Sequence, residues 1–77
     1  MSADKLIRMA NQIAAFFATQ PGEDAAQSVA SHINDNWAPP MRGALLDQIA
    51  QGAAGLQPLV IAAAPAIRKP KPPLPQA

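Results

Sequence analysis

The segment HINDNWAPPMRGAL, residues 32–45, places the only histidine of the chain, His32, and its only tryptophan, Trp37, beside two consecutive prolines. Pro39 and Pro40 cannot continue a preceding helix, but proline is well tolerated at the first position of a new one. The segment therefore predicts the end of one helix, a corner and the start of the next. We interpret the tryptophan as a core residue that closes this corner, in preference to an exposed anchor for a partner.

The spacing of apolar residues on both sides of the corner predicts further helices. Apolar side chains recur every three or four positions, the spacing of one helical face, over residues 3–19, 23–36 and 40–50. Ser2 is the candidate N-cap of the first helix, and Gly52 and Gly55 are both candidates to cap the third. A short fourth helix is predicted over residues 58–64, kinked or ended by Pro65. A strand is the alternative for its LVI segment, although the sequence offers no second strand to pair with it.

The composition changes after Ile67. Residues 68–77, RKPKPPLPQA, are basic and rich in proline, a composition typical of an extended tail without its own core. The prolines also match the ligands of SH3 domains, but a tail of this kind matches them readily by chance. We thus predict an all-α fold with a helical domain over residues 1–67 and a tail over 68–77. The domain is a small bundle of three main helices plus a short C-terminal helix.

The composition also indicates a thin core. Hydrophobic residues make up 49% of the 77 positions, but alanine, which buries little area, is the largest share of them. Below about 80 residues a single core rarely contributes more than about 5 kcal/mol without disulfides, metal or association. The chain has no cysteine, and its charged fraction of 14% is below the roughly 25% typical of soluble domains. Both features favour a chain that is supported by a partner.

Several classes of function are disfavoured by the distribution of charge and hydropathy. The six basic residues are spread along the chain, which argues against nucleic-acid binding. The longest apolar stretch, residues 59–67, is shorter than the roughly 20 residues of a membrane span. The first residues lack the uninterrupted apolar centre of a signal peptide. We therefore expect a cytoplasmic protein that binds neither nucleic acid nor membrane.

Catalysis and metal binding have little support in the sequence. His32 is the one candidate general base, because histidine is the side-chain type that ordinarily gains and loses a proton near neutral pH, and Asp35 follows it by one helical turn. Ser28 and Ser31 precede it in the same helix, without a glycine-rich turn that would present a nucleophile. A lone histidine among scattered carboxylates offers no metal cage. We expect no catalytic, cofactor or metal site, and interpret His32 as a surface or interface residue.

Other side chains point to a contact surface. Phe16 and Phe17 lie about 100° apart around a helix, so they cannot both face the core. Arg42 lies in the first turn of a helix, where a cation is unfavourable and an acidic partner would compensate it. The predicted partner-interface residues are Arg8, Phe17, His32, Trp37 and Arg42.

Three segments together resemble a known family. DKLIRMANQIAAFF at residues 4–17, HINDNWAPPMR at 32–42 and GLQPLVIAAAPAI at 55–67 are similar, in this order, to the delta subunit of bacterial NAD-dependent formate dehydrogenases. The resemblance implies a non-catalytic subunit of a cytoplasmic complex that oxidises formate and reduces NAD. It further implies docking on the alpha subunit, and a role in the assembly or stability of the complex.

The resemblance also implies where the cofactors of such a complex lie. The alpha subunit would hold a molybdenum or tungsten bis-pterin guanine dinucleotide and iron-sulfur clusters, and the beta and gamma subunits FMN, further clusters and the NAD site. The delta chain would bind none of them. Two alternatives remain open from the sequence: a transient maturation chaperone for the alpha subunit, and a small helix-turn-helix regulator.

Overall fold

The computed structural model describes residues 2–19 and 24–70, and every regular element in these ranges is helical. The elements are α1 (Ala3–Ala18), α2 (Ala25–Asn36), α3 (Pro39–Ala50) and α4 (Pro58–Ala63), which continues into a 3₁₀ helix (Ala64–Ala66). The predicted all-α class is thus confirmed. The alternative strand for the LVI segment is wrong, because these residues belong to α4. Of the tail predicted over residues 68–77, residues 71–77 lie outside the described residues.

Short polar contacts fix where the first two helices begin. The Ser2 hydroxyl accepts a hydrogen bond from the backbone N–H of Lys5 at 3.2 Å, which confirms Ser2 as the N-cap of α1. A carboxylate oxygen of Asp24 accepts from the backbone N–H of Gln27 at 3.0 Å. Asp24 is therefore the N-cap of α2 and not a residue of its first turn. Because of this cap, α2 begins at Ala25, two residues later than predicted.

Prolines and a glycine define the limits of α3. The helix begins at Pro39, one residue before the predicted start, with Ala38 as N-cap. At its other end Gly52 has a φ of 119°, and its N–H donates to the carbonyl of Ile49 at 3.2 Å. The N–H of the next residue, Ala53, donates to the carbonyl of Gln48 at 2.9 Å. This pair of bonds is a Schellman motif, so Gly52 is the residue that ends α3.

The core is formed mainly by α1, α2 and α4, while α3 contributes one fully buried side chain, Leu45. The short α4 packs against both α1 and α2, so it is a central element of the bundle despite its length. None of the described helices is both long and apolar enough to cross a lipid bilayer. The buried residues are Leu6, Ala10, Ala14, Val29, Ala30, Ile33, Trp37, Leu45, Leu56, Val60, Ala63 and Ile67.

Asn11 attaches the beginning of α4 to α1. Its Nδ2 donates to the carbonyl of Gly55 at 2.8 Å, and its Oδ1 accepts from the backbone N–H of Gln57, also at 2.8 Å. Gln57 is the N-cap of α4 and makes no side-chain capping bond of its own. We call this pair of bonds the Asn11 clamp, because one amide group fixes the entry to α4.

Asn34 makes an equivalent pair of hydrogen bonds at the C-terminal end of the segment that contains α4. Its Nδ2 donates to the carbonyl of Ala66 at 3.0 Å, and its Oδ1 accepts from the backbone N–H of Arg68 at 2.8 Å. These bonds, the Asn34 clamp, connect α2 to the chain that follows the 3₁₀ helix. The segment from Gly55 to Arg68 is therefore held at both ends by a helical asparagine that pairs with backbone groups two residues apart.

Candidate partner-binding surface

A surface groove lies between α1 and α2 and is lined mainly by apolar and aromatic side chains. It has a volume of about 360 Å³. The residues that line it, which we call the aromatic groove, are Met9, Gln12, Ile13, Phe16, Phe17, His32 and Trp37. Five of them lie on α1, where the three-to-four residue spacing brings side chains of successive turns together.

Three rings form a row along the aromatic groove. The rings of Phe16 and Phe17 meet edge to face, with centroids 5.0 Å apart, and those of Phe17 and His32 lie 6.0 Å apart in a similar orientation. Such geometry is the favoured one for aromatic pairs. Phe17 is half-buried, whereas Phe16 is 59% exposed. The exposed member of the pair is thus Phe16, although the sequence analysis selected Phe17 as the contact residue.

Trp37 lines this groove although its side chain is buried. It is only 6% exposed and belongs to the core, as its position at the corner predicted. Its ring therefore supports the groove, and its predicted part in an interface stays a prediction. Arg8 is an exposed residue of α1 that the structure does not place among the groove residues.

Arg42 lies in a second groove, of about 480 Å³, together with Pro39, Arg68 and Lys69. We call these four residues the basic corner. The Nε of Arg42 donates to the carbonyl of Arg68 and its Nη1 to the carbonyl of Trp37, both at 2.9 Å. Through these two bonds Arg42 fixes the α2–α3 corner within its own chain. The carbonyls leave its positive charge in place, so its predicted contact with an acidic partner stays a prediction.

The basic corner shows that the positive charges are less dispersed in the fold than they are along the sequence. Arg42 is far from Arg68 and Lys69 along the chain, which is why the sequence suggested dispersed cations. The fold gathers these three in one groove because the segment after the 3₁₀ helix returns to the start of α3. Asp35 is the carboxylate nearest to them among the described residues, 3.9 Å from Nη2 of Arg68.

The polar groups around His32 do not form a reactive arrangement in the described part of the chain. His32 is exposed, and its backbone carbonyl accepts a hydrogen bond from Nδ2 of Asn36 at 2.9 Å. Asp35 pairs with Arg68 and makes no hydrogen bond to the imidazole. No three histidine or acidic side chains of the described residues are close enough to hold a metal ion together.

Comparison with known proteins agrees with this description. A family model described as the NADH-dependent formate dehydrogenase delta subunit FdsD matches residues 5–64. No individual curated protein matches the chain significantly. The matched region runs from α1 into the 3₁₀ helix, and so contains all of the aromatic groove and, of the basic corner, Pro39 and Arg42. The resemblance seen in the sequence is confirmed, and the chain belongs to the FdsD family of formate dehydrogenase delta subunits.

Proposed function

We propose that this chain is a non-catalytic subunit that docks on the alpha subunit of a cytoplasmic NAD-dependent formate dehydrogenase and stabilises the assembled enzyme. The beta and gamma subunits belong to the same complex in this proposal. The molybdenum or tungsten cofactor, the iron-sulfur clusters, FMN and NAD are held by those larger subunits.

The observation that carries the proposal is the exposure of Phe16 in the aromatic groove. An aromatic ring buries about 150–250 Å² when it is fully covered, so a side chain that is 59% exposed leaves roughly 100 Å² in water. Covering that area would contribute about 2–3 kcal/mol to association. The edge-to-face contact with Phe17 holds the ring in place before any partner arrives, which lowers the entropy lost on docking.

The test is a comparison of two exposed apolar residues. Phe16→Ser removes the ring from the aromatic groove, and Ile61→Ser removes a side chain of α4 that is 42% exposed and is not among the groove residues. Both variants should melt near the temperature of the wild-type chain, because neither residue is in the core. Affinity for the purified alpha subunit should fall more than about tenfold for Phe16→Ser alone, as expected for an aromatic hot spot.

The same variants are then co-expressed with the remaining subunits. Wild-type chain and Ile61→Ser should co-purify in constant ratio with active enzyme, while Phe16→Ser should be lost and leave less assembled complex. Equal retention of both variants would show that the aromatic groove is not the docking surface. If the wild-type chain bound only cofactor-free alpha subunit and was missing from active enzyme, it would be a maturation chaperone and not a subunit.

A further inference from the structure

The basic corner lies outside the aromatic groove, and the contacts of Phe16 do not explain it. We propose that it binds an acidic segment of the partner subunit, which gives the complex a second, electrostatic contact. The proposal rests on the proposed function, since it assumes the same partner. It adds the chemical nature of the segment that is bound: a stretch of chain with at least two carboxylates.

The backbone that carries these cations is fixed before binding. The N–H of Arg68 is held by Asn34 at 2.8 Å and its carbonyl by Arg42 at 2.9 Å. Two residues further on, Pro70 covers Gly43 so closely that a Cβ added there would lie 3.0 Å from the proline Cγ. The chain from residue 68 to residue 70 therefore follows a defined path over α3. Charges presented on such a path lose less entropy on binding than charges on a free tail.

The cations are left with little compensation inside the described chain. Among the described residues, Asp35 is the only carboxylate within 4.0 Å of any of them, at 3.9 Å from Arg68, and both of these side chains are largely exposed, at 74% and 69%. An ion pair in that setting is weak and screened by water. No carboxylate of the described residues reaches Arg42 or Lys69 at that distance. The groove thus keeps a net positive charge that a partner carboxylate would balance.

Carboxylates fit this groove better than phosphates of a nucleic acid. Three cations can neutralise only a few phosphates, whereas nucleic-acid binding draws on many such contacts. The start of α3 supplies no free amide either, because Pro39 and Pro40 lack an N–H, and the next two amides are bonded to the Ala38 carbonyl. Recognition therefore depends on guanidinium and ammonium groups, which pair well with carboxylates.

The test reverses one charge at a time in the full chain. Lys69→Glu changes the basic corner, and Lys5→Glu makes the same change at an exposed position of α1 that is not part of either groove. Affinity for the purified alpha subunit is measured at about 50 and about 500 mM NaCl, where screening lengths differ several-fold. At low salt Lys69→Glu should weaken binding about fivefold or more, and at high salt less than about twofold, as expected for exposed ion pairs. Lys5→Glu should match the wild type in both salts.

A second variant of the basic corner and a second ligand complete the design. Like Lys69→Glu, Arg68→Gln should weaken binding at low salt and so make the affinity less dependent on salt. The backbone bonds of residue 68 to Asn34 and Arg42 remain available in this variant. If the wild type binds and both corner variants equal Lys5→Glu, the acidic contact is refuted while the docking of the subunit stands. If the wild type does not bind the alpha subunit at all, the proposed function fails first. The proposal of an acidic segment would also be overturned if the chain bound a mixed-sequence RNA more tightly than the alpha subunit and Lys69→Glu abolished that binding.

Discussion

Replacing Asn34 by alanine tests the clamp that holds the end of the α4 segment. The change removes a partly buried bond to the Ala66 carbonyl and an exposed bond from the Arg68 N–H. The two backbone groups are then left to water, or to nothing where water cannot reach. The Asn11 clamp at the other end of the segment is unaffected, so the expected result is a looser C-terminal end of α4 and not the loss of the whole helix.

The magnitude follows from the two bonds and from the helix in which the residue lies. Each bond contributes about 0.5–1.5 kcal/mol net, or about 1–3 kcal/mol together. Alanine is a better helix former than asparagine by roughly 0.5 kcal/mol, which offsets part of the loss. Asn36→Ala is the matched control, since Asn36 lies on the same helix and makes only a local bond to the His32 carbonyl. The difference between the two variants should be about 1–2 kcal/mol of unfolding free energy.

Thermal and urea unfolding of the full chain, followed by far-ultraviolet circular dichroism, measure this difference. For a chain of this size 1 kcal/mol corresponds to roughly 4–8 °C in Tm, so Asn34→Ala should melt several degrees below Asn36→Ala. That is a large share of a total stability of about 3–5 kcal/mol. Equal melting temperatures for the two variants would refute the clamp as a stabilising contact, and with it the argument that residue 68 is held in place before binding.

Three further substitutions test other contacts of the fold. Ile33→Ala, at a fully buried position, should cost about 2–5 kcal/mol, enough to leave the free chain largely unfolded at 25 °C by circular dichroism; a retained cooperative transition near the wild-type Tm would contradict this. Arg42→Lys keeps the charge but cannot reach both the Trp37 and Arg68 carbonyls, so urea unfolding should show a loss of about 1 kcal/mol, and no loss would mean that these bonds are dispensable. Gly52→Ala places a side chain at a φ of 119° and should lower the unfolding free energy by about 1 kcal/mol or more, whereas an unchanged Tm would mean that the end of α3 relaxes freely.

The helices could be predicted because their limits depend on neighbours in sequence. Ser2 caps α1 with a bond to a residue three positions away, and Asp24 does the same for α2. Proline opens both α3 and α4. Where a limit was missed, as at the start of α2, the error was two residues and came from placing an acidic cap inside the helix.

The candidate surfaces were only partly predictable. The sequence showed that Phe16 and Phe17 diverge, but which of the two is covered depends on what lies beside α1, and α2 brings His32 to the ring of Phe17. Both asparagines of the clamps lie in segments that the sequence predicted to be helical. Their backbone partners lie 32–46 positions away along the chain, so no local sequence pattern could identify these partners.

The sequence by itself determined that this protein is all-helical, and it placed the limits of the helices to within two residues. These properties rest on caps, prolines and spacing, which act over a few residues. The family was indicated by the resemblance of three longer segments and is shown by the family model that matches residues 5–64. Only the tertiary structure decided that the six-residue α4 is central, that Asn11 and Asn34 hold it at both ends, and that Arg42 meets Arg68 and Lys69 in one basic corner. Such contacts join distant parts of the chain, and they form only once burial of the apolar faces has fixed how the helices pack.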